Sequence, residues 1–75
     1  MTKPVMELRR GLIKARIWQR RSRNGVRHSL YVVRLFRNGD QWKESTRFGR
    51  DDLPLIRLLL DEAHVWMLTN EGQAE

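Results

Sequence analysis

The stretch LIKARIWQR, residues 12–20, decides the fold, because its apolar and polar side chains alternate one by one. One side carries Ile13, Ala15 and Ile17, and the other carries Lys14, Arg16, Trp18 and Arg20. Alternation with a period of two and β-branched residues is typical of a strand with one buried face. We therefore predict a strand over residues 12–20 whose apolar side faces a core.

A second strand is predicted over residues 28–37, after a tight turn at Asn24-Gly25, which is a strong hairpin signal. This strand is apolar on both faces, so its register stays open. Arg34 indicates that its own face is the solvent-exposed one. The opposite row is Tyr31, Val33 and Leu35, an equally good core row.

A third strand, residues 41–48, follows the turn at Asn38-Gly39-Asp40 and alternates again. Its two sides are Trp42, Glu44, Thr46 and Phe48, and Gln41, Lys43, Ser45 and Arg47. Three strands joined by short turns predict an antiparallel meander with one dry and one solvent-exposed face. Residues 1–11 are either a flexible leader or an extra edge strand.

A helix is predicted from Leu53 to about Thr69. Asp51 and Asp52 suit its cap and its dipole, and Pro54 suits its first turn. The apolar stripe expected to face the sheet is Leu53, Ile56, Leu59/Leu60, Ala63 and Trp66/Met67. The predicted fold is therefore α+β: a three-stranded sheet, or four-stranded with the leader, followed by one C-terminal helix packed on it. We expect residues 12–69 to form the single domain and residues 70–75 to be a frayed tail.

Further apolar residues on this helix lie outside the stripe: Leu55, Leu58, Val65 and Leu68. A helix that is apolar over most of its circumference is usually buried on more than one side, and one sheet cannot cover both sides. A chain of 75 residues with no cysteine has a small core and no disulfide to reinforce it. These four residues are therefore predicted to form a homodimer interface.

The charge is distributed unevenly along the chain. Residues 1–50 carry 14 Lys or Arg against three acids, a balance of +11, whereas residues 51–75 carry one against six, a balance of −5. Most of these cations are arginine, which forms forked hydrogen bonds with phosphate and stacks on bases. Such a field predicts a polyanionic partner, and nucleic acid is the commonest one.

The sequence gives little support to other classes of function. There is no cysteine, and His28 and His64 show no metal-ligand spacing. Asp61 and His64 could meet on one helix face, but a catalytic dyad also needs a nucleophile and a pocket. No apolar run could span a bilayer. We expect a cytoplasmic protein that is not an enzyme and uses no cofactor, metal, membrane or small-molecule substrate.

The candidate nucleic-acid contacts are the basic side of the sheet and the first hairpin. They are Lys14, Arg16, Trp18, Arg20, Arg21, Arg23, Arg27, Arg34, Lys43 and Arg47. Cations can follow the phosphates while an exposed indole stacks on a base. Trp18 is therefore the aromatic residue expected to contact a strand.

The run WKESTRFGRDDL, residues 42–53, together with Gly39-Asp40 and DEAH at residues 61–64, resembles a group of short uncharacterised bacterial proteins. The resemblance covers residues 12–68. The order of sheet and then helix also resembles the single-stranded-DNA-binding domain of the positive-cofactor-four and Whirly type. That family dimerises through C-terminal helices and binds strands on basic, aromatic sheets. The resemblance implies a fourth strand from residues 3–10 and single-stranded DNA as the partner.

Two alternatives stay open. Three strands and a helix also resemble ethylene-response-factor and integrase arm-binding domains, which would place Arg16, Arg34 and Arg47 in the major groove of duplex DNA. The other alternative is a small regulator whose basic sheet docks an acidic protein. Single-stranded DNA is favoured by the predicted dimer helix.

Overall fold

A computed structural model describes residues 3–70 and shows a four-stranded antiparallel sheet followed by one helix. In chain order the elements are β1 (Met6–Arg10), β2 (Ile13–Ser22), β3 (Gly25–Asn38), β4 (Gln41–Ser45), a 3-10 turn (Arg50–Asp52) and α1 (Leu53–Asn70). The α+β fold class is confirmed, and the N-terminal segment supplies β1 as an edge strand. The predicted tail, apart from Asn70, lies outside the described residues.

Each strand pairs with its neighbour in the chain through a two-residue turn. Gly11 and Gly39 stand first in their turns with φ of 61° and 67°, a conformation that other residues adopt at a cost. The turn between β2 and β3 is Arg23-Asn24, and Gly25 closes it with φ of 120°. The predicted hairpin is therefore present, with its turn one residue earlier than Asn24-Gly25.

The core lies between β2 and α1. Ile13, Ala15 and Ile17 are completely buried, so the alternation over residues 12–20 does mark a half-buried strand. Leu59 and Ala63 of the helix are buried with them. No helix within residues 3–70 is both long enough and apolar enough to cross a membrane.

The apolar stripe predicted for the helix is partly wrong. Leu53 and Leu60 are exposed, whereas Leu55 packs against the core. The reason is the position of α1, which contacts β2 and β1 and touches β3 less. The side of the helix that points toward β3 and β4 is therefore left largely uncovered. Leu55 lies on the side above β1 and contacts the core.

The register of β3 places Arg34 opposite Ile13, on the side of the sheet covered by the helix, which we call the helix face. The inference that Arg34 marks the solvent-exposed face is wrong, because its charge is paired at the helix start. Arg34 Nε lies 3.1 Å from Asp52 Oδ2. The predicted core row, Tyr31, Val33 and Leu35, lies on the other side, which we call the open face.

The same register decides the faces of β4. Arg34 is paired with Ser45 and Phe36 with Lys43, so Lys43 lies on the helix face. The prediction that Lys43 shares a face with the basic row of β2 is therefore wrong. Both corrections follow from the faces of β3. A strand whose register shifts by one residue exchanges its two faces, and the strand paired with it then changes faces as well.

Candidate nucleic-acid interface

The open face is basic and aromatic, but it divides into two unlike halves. In one half, Lys14 and Arg16 of β2 are paired with carboxylates on β1 and β4. In the half near the β2–β3 hairpin, cations stand beside aromatic rings.

Arg16 holds the first half together. Its Nε donates a hydrogen bond to Glu7 Oε2 on β1 at 2.9 Å, and its Nη1 donates to Glu44 Oε1 on β4 at 3.2 Å. Hydrogen bonds from Arg16 hold the pKa of both Glu7 and Glu44 below the ordinary range, and the two carboxylates raise the pKa of Arg16. Lys14 Nζ lies 3.6 Å from Glu7 Oε2.

This arrangement explains the burial of an apolar side chain on the open face. Arg16 on β2 reaches Glu44 on β4, so its side chain must cross β3, where Val33 is only 9% exposed. Arg16, Val33 and Glu44 line one hollow. The guanidinium therefore acts as a cover on the sheet, and Arg16 and Lys14 are less available to phosphates than their sequence pattern indicates.

The second half combines two aromatic rings with two arginines. Trp18 and Tyr31 meet edge to face with ring centroids 6.5 Å apart, and Tyr31 is 60% exposed. Arg20 and Arg27 are directly paired across β2 and β3, on the same face. Among residues 3–70 neither arginine has a carboxylate within salt-bridge distance. These four residues, which we call the hairpin cluster, line the same hollow of about 750 Å³ that Arg16, Val33 and Glu44 also line.

The structure brings five of the ten predicted contact residues onto the open face and separates the rest. The five are Lys14, Arg16, Trp18, Arg20 and Arg27, and the others are Arg21, Arg34 and Lys43 on the helix face, Arg23 in a turn and Arg47 beyond the end of β4. The side chains of Arg20 and Arg21 therefore point to opposite faces although they are neighbours in sequence.

Two aromatic residues of the open face were missed from the sequence. Tyr31 was assigned to a core row, and Trp42 to the apolar side of the third strand. Trp42 is 57% exposed, pairs with Arg37 on the open face, and has the Arg37 guanidinium 5.8 Å from its ring centroid. A cation directly opposite an aromatic residue across the Asn38-Gly39-Asp40 turn is the signal that could have identified this pair.

The four residues predicted to form a dimer interface differ in their surroundings. Leu55 is partly buried and packs against the core, so less of its side chain remains for an outer interface. Leu58, Val65 and Leu68 are each more than half exposed. Their role in association stays a prediction.

Within residues 3–70 no three His, Asp or Glu side chains come together as a metal site would require. Comparison with family models, curated proteins and solved structures finds no match to this chain.

Proposed function

We propose that the protein binds single-stranded nucleic acid, with single-stranded DNA as the first ligand to test, through the hairpin cluster of Trp18, Arg20, Arg27 and Tyr31. One observation carries the proposal. Arg20 and Arg27 are directly paired across β2 and β3, and no carboxylate within residues 3–70 forms a salt bridge with either. Like charges in directly opposed positions destabilise a sheet, and a phosphate between them would remove that cost.

The aromatic pair favours a single strand over a duplex. A base can stack on an exposed ring when it is not already stacked between its neighbours in a helix. Tyr31 offers the more exposed ring, and Trp18 supports it from the side. In this arrangement the arginines hold the backbone and the rings hold the bases, which is binding without any bond-making chemistry.

The test is a titration of labelled single-stranded DNA, single-stranded RNA and duplex DNA of equal length, at two salt concentrations. Tyr31→Ala removes the more exposed ring and is expected to cost about 1–3 kcal/mol of single-strand binding, and Trp18→Ala, which removes its support, is expected to weaken binding in the same direction. Arg20→Gln and Arg27→Gln are each expected to weaken binding and to lower the salt slope by about 0.7. Circular dichroism and thermal melting establish that each variant is folded.

Arg21→Gln is the matched control, since it removes the same charge one residue away, on the helix face. It is expected to weaken binding less than Arg20→Gln. Equal losses for the two variants, or unchanged affinity in Arg20→Gln and Arg27→Gln, would remove the hairpin cluster as the site. Tighter binding to duplex DNA than to either single strand would contradict this proposal and favour the alternative in which the sheet lies in the major groove of duplex DNA.

Glu44→Gln is expected to raise the affinity for nucleic acid, and it tests the role of the half of the open face in which Arg16 is paired with carboxylates. It removes one of the two carboxylates that bind Arg16 and leaves Glu7 in place, so the open face gains one unit of positive charge beside the hairpin cluster. We expect tighter binding than in the wild-type protein, because both charge and access increase. Weaker binding in a folded variant would contradict the assignment of Arg16 to a covering role.

A further inference from the structure

Among residues 3–70, no strand pairs with the outer side of β1, which is an edge of the sheet. The strand order is β1-β2-β3-β4, and β1 is paired regularly with β2 over all five residues from Met6 to Arg10. Natural edge strands are usually blunted by short length, charged side chains, proline, a bulge or a covering element, because their free backbone groups can pair with another chain. β1 is short and carries Glu7, Arg9 and Arg10, but it contains no proline and its pairing shows no interruption.

The sequence of β1 is complementary to itself when it runs antiparallel. Glu7 and Arg9 both lie on the open face, one on each side of Leu8. A two-fold axis at Leu8 places Glu7 of each protomer opposite Arg9 of its partner. An axis at Glu7 or at Arg9 instead sets like charges directly opposite each other, which is destabilising.

The position of α1 fits the same axis. The helix lies over β1 and β2, and strands in a sheet are about 4.8 Å apart. A two-fold axis half a strand spacing beyond β1 therefore places the two helices on the same side, about 10 Å apart. Packed helices are separated by about 8–10 Å.

The surface that would meet at this axis is mostly apolar, although Asp61 and Glu62 also line it, and Glu62 is paired with Arg10. Val65 is 58% exposed and lines, with Met6 and Leu8, a hollow of about 470 Å³ between the helix and β1. Leu58 lies two turns before Val65 on the same side of the helix and is 51% exposed. The Arg10–Glu62 ion pair fixes this side of the helix above β1.

From these observations we propose that the protein forms a two-fold dimer in which β1 pairs antiparallel with β1 of a second copy, in the register centred on Leu8. The product is a continuous eight-stranded sheet. Both helices lie on one side, in contact through Leu58 and Val65, and both open faces lie on the other. This inference does not depend on the proposed function.

Sedimentation equilibrium over about 5–200 µM measures the association, which is concentration-dependent. Arg9→Glu sets two carboxylates against each other and is expected to weaken dimerisation about tenfold or more. Arg9→Lys keeps the charge and is expected to dimerise as the wild-type protein does. Glu7→Arg is also expected to be monomeric, but an equimolar mixture of the Arg9→Glu and Glu7→Arg chains restores both charge pairs and should form heterodimers.

A second pair of variants serves if Glu7→Arg does not fold, since Glu7 also binds Arg16. Val65→Glu is expected to weaken the dimer, whereas Leu68→Glu is not, because Leu68 is equally exposed but does not line the hollow between the helix and β1. A monomeric wild-type protein over the whole concentration range overturns the proposal. So does a dimer that Arg9→Glu leaves intact or that Leu68→Glu disrupts as strongly as Val65→Glu.

Discussion

Arg16 joins three strands through one side chain, since it lies on β2 and binds carboxylates on β1 and β4. Ion pairs between exposed groups contribute little by themselves, but a bidentate guanidinium with two carboxylates forms a network. The network also shields Val33 from water. A residue with the appearance of a ligand contact is therefore part of the structure of the sheet.

Acidification should weaken this network. The pKa of Glu7 and of Glu44 is lower in the folded protein than the ordinary 4.5, so their stabilising contribution is complete above about pH 4.5. It is lost as the pH falls through the lowered values. We expect the free energy of unfolding from urea denaturation to decrease from pH 5 to pH 2.5 more in the wild-type protein than in Glu7→Gln/Glu44→Gln.

Asp40→Asn is the control for this pH dependence, because it removes a carboxylate from the β3–β4 turn without removing a contact to Arg16. Its acid dependence should follow the wild-type curve. Superimposable curves for the wild-type protein and the double variant would show that the network makes no contribution.

At the scale of the elements, the packing of α1 on β2 is the main source of stability. Leu59 is completely buried, whereas its neighbour Leu60 is 44% exposed. Leu59→Ala is expected to lower the free energy of unfolding by about 2–5 kcal/mol, through lost apolar burial and a cavity. Leu60→Ala should cost less than about 1 kcal/mol.

Chemical denaturation of both variants provides the measurement. The total stability of a domain this small is about 5 kcal/mol, so Leu59→Ala should be largely unfolded at elevated temperature. Equal losses for the two alanine variants would mean that the helix does not dock in the orientation described.

The strands and the helix could be predicted where a local signal is strong. Residues 12–20 alternate cleanly, and the turn glycines and the acids before Leu53 mark the boundaries of the elements. The faces of β3 and β4 could not be predicted, because β3 is apolar on both sides and Arg34 was a misleading guide. Its partner, Asp52, is 18 residues away, and no local pattern predicts a contact at that separation.

The same ambiguity in the faces of β3 limited the prediction of the candidate site. Trp18, Arg20 and Arg27 could be identified because they belong to β2 or to its hairpin, where the pattern is unambiguous. Tyr31 and Trp42 could not, since their exposure follows from the register of β3. The pairing of Lys14 and Arg16 with Glu7 also depended on the existence of β1, which the sequence left open.

At the scale of the whole molecule, the uneven charge of the sequence becomes an uneven charge in space. The basic residues of the first 50 positions are mostly in the sheet, while the helix carries Asp61 and Glu62. The molecule is flat, with extents of 44 × 26 × 15 Å. A polyanion should therefore approach the sheet in preference to the helix, and raised salt should slow that approach.

The succession of two-residue turns also has a consequence for the kinetics of folding. Every pair of strands is local in sequence, so the sheet can form by successive zipping of hairpins, each on a timescale of about 1–10 µs. The contacts between α1 and β1 instead join residues that are far apart in sequence, such as Arg10 and Glu62, which are 52 residues apart. Because that loop must close after the hairpins have formed, we expect helix docking to be a late event. Stopped-flow measurements on Leu59→Ala should then show faster unfolding and an almost unchanged refolding rate. A refolding rate that falls with stability would place the helix in the folding nucleus.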